Sequence, residues 1–315
     1  MKDKYNGIVN VNKEAGFTSF DVVAKLRGIF GQRKIGHTGT LDPEAVGVLP
    51  ICLGNATKVV ELLMDHDKEY VAELLLGKKT DTQDISGNVI SEKDTAGIKE
   101  EEVRSVIASF IGEQDQIPPM YSAIKVNGQK LYDLARKGVE VERKPRRINI
   151  YDIEVLDVNL PVIKMRVHCS KGTYIRTLCD DIGEKLGCGG TMKSLERTRV
   201  GVVGKESALT LSEIQDLKDT DRLNECVRSV DSLFMDLPAV TVKKEALSKL
   251  ENGNILNLVD ITQNKADESK KVYITTQNTV NLHDCVRVYK PDGTFSALYR
   301  YESDSDIFRP EKMFL

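Results

Sequence analysis

The stretch Gly36-His37-Thr38-Gly39-Thr40-Leu41-Asp42-Pro43-Glu44-Ala45-Val46-Gly47-Val48-Leu49-Pro50 decides how this chain is read. Pro43 drives the residue before it, Asp42, out of the α region and into an extended conformation. Gly36 and Gly39 permit tight bends, or the close approach of another backbone. The product is a stiff, non-helical ledge that presents one carboxylate. An aspartate held in this way has three uses: nucleophile, general base or helix cap. The cap has a concrete form. Pro43-Glu44-Ala45 suits the first turn of a short helix, with Asp42 accepting from its leading N–H groups. Spacing alone leaves the three uses open.

Outward from this ledge the pattern is mixed α and β. Gly7–Lys13 alternates as a strand. Thr18-Ser19 offers a helix cap, followed at helical spacing by Val23, Leu26 and Phe30 up to Gly31. Tyr70–Leu76 reads as a buried strand and Asn88–Ser91 as a short one. Glu101–Ile111 predicts a helix with Val103, Val106, Ile107 and Phe110 on one face. Ile148–Val158 and Val162–Val167 predict paired strands. Tyr174–Leu186 predicts a helix with Ile175, Leu178, Ile182 and Leu186 on one face, ended by Gly187. Cys285–Tyr301 reads as a hairpin about Pro291-Asp292-Gly293, whereas 260–271 is too polar to assign.

A chain of 315 residues, 40% hydrophobic with 9 prolines, is too long and too apolar for a disordered or disulfide-stapled protein. At roughly 150 residues per domain it holds a large domain and an accessory one. The boundary is expected near Pro238, giving 1–238 and 239–315. No run approaches the roughly 18 apolar residues of a membrane helix. The start MKDKYNGIVN lacks the apolar core of a signal peptide, so a cytoplasmic location is expected. The six cysteines form no CxxC pair and the four histidines do not cluster near them, so no metal site is expected. The net charge of −3 argues on its face against a nucleic-acid partner. By segment, however, 1–60 carries +3, 121–150 carries +5 and 164–205 carries +5, while 61–120 carries −8 and 206–236 carries −5. Basic blocks that fold onto one face still make a polyanion site.

The ledge resembles the signature of the bacterial tRNA pseudouridine-55 synthases, the TruB family, and five further segments extend the resemblance collinearly from about residue 8 to about residue 201. Asn12-Lys13-Glu14-Ala15-Gly16-Phe17-Thr18-Ser19 is similar to the family's KPxGxTS element, with Glu14 where proline is usual. Lys68-Glu69-Tyr70 is similar to its KxY strand. Gly77-Lys78-Lys79-Thr80-Asp81-Thr82-Gln83-Asp84-Ile85-Ser86-Gly87 is similar to GxxTDTxDxxG. Gln116–Lys125 is similar to QxPPxYSAxK. Cys169-Ser170-Lys171-Gly172-Thr173-Tyr174-Ile175-Arg176 is similar to CSKGTYIR. Beyond about residue 240 the likeness is loose. The resemblance implies an α+β pseudouridine synthase fold with a mixed, largely antiparallel central sheet, plus a small β-rich C-terminal (PUA-like) module.

The implied reaction isomerises uridine 55 in the tRNA T loop. The N1–C1′ bond breaks, the base turns, and C5 bonds to C1′. Nothing is oxidised and no group arrives, so no cofactor or metal is expected. The carry-over makes Asp42 the catalytic carboxylate, Arg176 its partner, Asp84 a buttress of that arginine and Tyr70 the ring beside the base. His37 fills the gap left by the flipped base, and Leu195 lines the uracil pocket. Lys13, Lys125, Lys171 and Arg197 are candidates for phosphate contacts, and Tyr174 is a substrate-binding candidate from the CSKGTYIR element. Each has a plainer reading: Arg176 as an i,i+4 partner of Asp180, Asp84 as a turn residue, Tyr70 and Leu195 as strand core, the lysines as surface cations. A monomer acting on the T stem-loop is expected. A tRNA-folding chaperone and the catalytic subunit of a guide-RNA-dependent H/ACA particle are the rival functions.

Overall fold

The computed structural model describes residues 4–126, 128–263, 285–302 and 304–315. The strands up to residue 204 are β1 Gly7–Lys13, β2 Ile35–His37, β3 Val46–Leu53, β4 Lys68–Leu76, β5 Lys78–Thr80, β6 Val89–Glu92, β7 Gly112–Gln116, β8 Lys125–Val126, β9 Gln129–Lys130, β10 Arg146–Asn159, β11 Val162–Cys169, β12 Gly190–Val200 and β13 Val203–Gly204. One sheet runs in the order β1-β3-β12-β4-β11-β10-β7, with β2 beside β3 and β13 beside β12. Every pairing in it is antiparallel except that of β3 with β12, where Val46 meets Glu196 and Gly47 meets Arg197. The sheet is thus mixed and largely antiparallel, as the resemblance implied.

Alternation places the two faces of the sheet in separate cores. In β3, Leu49, Ile51 and Leu53 join one cluster with Val9 and Val11 of β1, whereas Val48 and Cys52 join another with Ile8. Helix α1, Ser19–Phe30, covers the first face with Val22, Val23, Leu26, Ile29 and Phe30. The Thr18 side chain and Asp21 close a reciprocal cap at its start, and Gly31 ends it at φ 64°. Helix α2 is Val60–Met64, α3 is Glu100–Ala108, α4 is Leu131–Ala135 and α5 is Ile175–Lys185. α3 stops three residues short of the expected end, because Phe110 and Ile111 bond to the carbonyls three residues back and Gly112 follows at φ 113°.

After the helix α6, Leu211–Asp219, a second sheet begins. Its strands are β14 Ala239–Val242, β15 Leu256–Asn257, β16 Ile261–Gln263, β17 Cys285–Tyr289, β18 Phe295–Glu302 and β19 Ile307–Met313, in the order β15-β19-β18-β17-β14-β16. It has its own core around Val240, Val286, Tyr299 and Phe308. The expected hairpin is β17–β18, turning at Gly293 with φ 84°. Of the polar stretch 260–271, residues 264–271 lie outside the described residues. Leu298 and Phe314 pack with Val48 and Ile8 of the first sheet, and Asn55 Nδ2 donates to Phe314 O at 3.3 Å.

Candidate active site

The ledge that carries Asp42 links β2 to β3. Ser19 Oγ, on the first residue of α1, accepts from Leu41 N at 2.9 Å and fixes one side of it. Residues 43–45 form no helix. Ala45 N donates to Asp42 O at 3.1 Å, closing a single turn, so the cap reading of Asp42 is wrong and its carboxylate is turned elsewhere. It meets Arg176, at the start of α5, on both oxygens: Arg176 Nε lies 2.9 Å from Oδ2, and Nη2 donates to Oδ1 at 3.1 Å. The rest of the guanidinium is also engaged, with Nη2 donating to Tyr121 O at 2.8 Å and Nη1 to Thr82 O at 3.1 Å. The Arg176 side chain is 6% exposed and that of Asp42 36%, so the carboxylate is the accessible member of the pair. Burial pushes the Asp42 carboxyl above the usual carboxylate range, Arg176 draws it back, and the nearby Asp84 adds to the upward push.

The two readings of Asp84 hold together. Oδ1 accepts from Thr82 Oγ1, Ser86 N and Ser86 Oγ, which makes the turn, while Oδ2 faces Arg176 Nη1 at 3.9 Å. Arg176 does not pair with Asp180. That carboxylate takes Gln83 Nε2 at 3.0 Å and Lys79 Nζ at 3.4 Å. Tyr174 caps α5 from the outside, and Gln116 grips its backbone on both sides, accepting from Tyr174 N at 2.8 Å and donating to its O at 3.1 Å. Sequence reading passed over Gln116, although it opens the QxPPxYSAxK element.

Tyr70 of β4 stands opposite Arg197 of β12, two residues along from Leu195, and Tyr70, Leu195 and Leu41 belong to one core cluster. Core packing and a place beside Tyr70 are therefore both true of Leu195. Burial pushes the Tyr70 hydroxyl up, and the adjacent Arg197 guanidinium opposes this. His37 is half-buried. Its Nδ1 accepts from Gly39 N at 3.3 Å, and burial together with Arg197 lowers its pKa and favours the neutral ring. Two expectations need correcting. Lys13, read as a phosphate contact or, more plainly, a surface cation, is fully buried, and its Nζ donates to the carbonyls of Glu14, Phe17 and Pro43 at 3.0, 2.6 and 2.8 Å, bracing the ledge from beneath. Burial brings its pKa down to about 8. Arg197 is likewise 1% exposed. Neither is placed to meet a phosphate from outside, because the β1–β3–β12 part of the sheet closes over both.

The family model described as TruB family pseudouridylate synthase (N terminal domain) matches residues 27–175, and that of the tRNA pseudouridylate synthase B C-terminal domain matches 176–235. The chain is 49% identical over 318 aligned positions, covering 98% of it and 100% of the relative, to the tRNA pseudouridine synthase B of Lachnoclostridium phytofermentans. It is 51% identical to that of Clostridium tetani, covering 79% of this chain and 84% of the relative. The chain belongs to the TruB family. The activity that goes with this membership is tRNA pseudouridine synthesis. Among solved structures, a Cbf5-Nop10-Gar1 complex contains a chain similar at TM-score 0.72 and 28% identity, covering 98% of this chain and 85% of that one. An H/ACA RNP bound to a substrate RNA containing 2'-deoxyuridine follows at TM-score 0.71 and 26% identity, with the same coverage.

Around this TruB-family centre the basic blocks differ in what they offer. In 164–205, Arg166, Lys171, Arg176, Lys193, Arg199 and Lys205 each sit against a carboxylate, so much of that charge is neutralised in place. In 121–150, Lys125, Arg136, Lys137, Lys144 and Arg146 are exposed, with no carboxylate at ion-pair distance among the described residues. That segment leaves the sheet between β7 and β10, and its root supplies the Tyr121 carbonyl to Arg176. No helix among the described residues is long and apolar enough to cross a membrane.

Proposed function

We propose that this chain isomerises uridine 55 of the tRNA T loop to pseudouridine without a guide RNA, in the cytoplasm, with Asp42 as the reacting carboxylate. The observation that carries this reading is the two-point Asp42–Arg176 pair on a ledge that leaves the carboxylate reachable. A carboxylate that is to attack the sugar or the base, or to steady a sugar cation, must be ionised and aimed. Burial opposes ionisation, and a fixed guanidinium fork offsets that opposition while setting direction. A base inside a folded loop reaches such a carboxylate only after it is flipped out. In this reading His37, at the end of β2, takes up the vacated space, and Tyr70 and Leu195 line the base. In the same reading Lys125 and Tyr174, whose backbone Gln116 holds, contact the T stem.

Pseudouridine mapping on a synthetic T-arm stem-loop, with no guide RNA added, tests this. The wild type converts the uridine at the position of residue 55. Asp42→Asn loses turnover by about 10⁴-fold or more while holding the stem-loop with Kd within about threefold, as expected when a reacting group is removed and binding is left alone. Near-normal turnover by the variant would remove Asp42 from the mechanism. Wild-type activity that requires an added guide RNA would replace the stand-alone reading with the guide-dependent one.

A further inference from the structure

Arg197 is a buried guanidinium with no carboxylate at ion-pair distance among the described residues. Burying an arginine without a counter-charge is costly, and the sequence places this one at the centre of the sheet. In register it lies between Gly47 of β3 and Tyr70 of β4. Gly47 has φ 102°, and a Cβ there would fall 2.3 Å from Arg197 O, so the glycine lets β12 close on the ledge strand. Arg197 Nε donates to Val48 O at 2.7 Å and Nη2 to Gly39 O at 3.3 Å, both in the segment that carries Asp42. The titratable group that interacts most strongly with it is the Tyr70 hydroxyl. One side chain thus ties the catalytic ledge to the tyrosine.

We propose that Arg197, which faces Tyr70 across β12 and β4 and is itself fixed to Val48 O and Gly39 O of the ledge segment, is the positioning residue of Tyr70 and supports negative charge on the phenol oxygen while a proton passes through it. This rests on the function proposed above. In the isomerisation, the ring nitrogen released from C1′ must gain a proton and C5 must lose one. Tyr70 balances both: its hydroxyl proton goes to the nitrogen, and the resulting phenolate takes the C5 proton once C5 has bonded to C1′, so the phenol is restored. The phenolate exists only between these transfers, beside the Arg197 cation. The other charged or titratable groups around the pair are Lys68 of β4, Cys169 of β11, His37 of β2, Lys13 of β1 and Asp42 of the ledge. Burial and Arg197 lower the pKa of Lys13, His37 and Lys68, and burial lowers that of Arg197 as well; of these cations, Arg197 is the one that strand register sets directly opposite Tyr70.

The test combines Arg197→Lys, Tyr70→Phe and the double variant, using stem-loops with hydrogen or deuterium at C5 of the target uridine. Arg197→Lys keeps a cation but loses the fork. It lowers kcat about 10²-fold, in the range of a proton-transfer group, with the stem-loop Kd unchanged. The C5 isotope effect rises, because proton removal from C5 becomes more limiting. In the Tyr70→Phe background the same change costs less than about threefold, since the two residues act as a unit. Fully additive losses, or an unchanged isotope effect with weakened binding, would overturn the proposal. If Arg197→Lys loses its cooperative melt, Arg197→Met, which preserves the stem volume, is carried through the same measurements. If the wild type forms no pseudouridine, both readings fall. If it is active and the losses are additive, only this one does.

Discussion

Arg176 shows how much of the candidate site rests on one side chain. Its donors serve the Asp42 carboxylate and the carbonyls of Thr82 and Tyr121, so it joins three loops that are far apart in sequence. Lysine at this position has the charge without the fork and cannot hold both oxygens of Asp42. Arg176→Lys is therefore expected to lower kcat by about 10²-fold, comparable to losing one oriented charge-stabilising donor. Its pH dependence has a definite sign. As the reacting carboxylate proposed above, Asp42 must be ionised, and its pKa is already raised by burial, so activity is expected to fall as pH drops through that raised value. Arg176 is the largest influence holding the pKa down. Weakening it moves the acid limb of the rate profile to higher pH, and the variant is more impaired at pH 6 than at pH 8. Rate profiles from pH 5 to 8 that share one acid limb would disprove this account of Asp42 ionisation.

At the scale of elements, α5 decides how deep Arg176 sits, and a pair of glycines decides how deep α5 sits. A Cβ on Gly183 would lie 2.0 Å from Gly190 N, and one on Gly190 would lie 2.5 Å from Cys179 O, so the helix and the start of β12 touch backbone to backbone. Gly183→Ala is expected to cost about 3 kcal/mol, the upper end of overpacking losses, because rigid backbone must move. Urea denaturation reads this as a lower midpoint, and pseudouridine formation falls with it as Arg176 is displaced; an unchanged midpoint would show that the seam has room. The α5 face was legible in the sequence because a period of 3.6 is a local signal, and so was the α1 cap at Thr18, which stands just before the apolar period begins; its closure by Asp21 was not read. The Gly183–Gly190 seam was not, because it exists only where two elements meet. Lys13 and Arg197 were misread for the same reason. A cation in a basic block has no local mark of burial, and only the pairing of β1, β3 and β12 puts these two inside. Asp84 was half legible: its turn is local, and its view of Arg176 is tertiary.

At the scale of the whole molecule, a net charge of −3 is compatible with a polyanion partner once the cations are sorted by what they touch. Lys13, Lys68 and Arg197 are inside, and the arginines and lysines of 164–205 largely face carboxylates. Among the described residues, two exposed sets remain: Lys25, Arg27, Arg33 and Lys34, on α1 and the turn after it, and Lys125, Arg136, Lys137, Lys144 and Arg146, on the segment rooted beside Arg176. An RNA backbone lying along this segment displaces counterions, so log affinity falls with log salt by roughly 0.7 to 0.9 for each phosphate neutralised. The segment and the site then make separable contributions. Replacing Lys125, Lys137 and Lys144 together with Gln is expected to weaken stem-loop binding at low salt and to flatten the salt slope by roughly 1 for each lysine lost. Turnover at saturating RNA stays close to wild type, because the Asp42–Arg176 pair is untouched. Fluorescence anisotropy titrations between 50 and 300 mM KCl measure the slope, and single-turnover assays at excess enzyme measure the rate. A slope unchanged in the triple variant would mean that RNA approaches across another face. A rate lost at saturation would mean that these lysines also order the ledge.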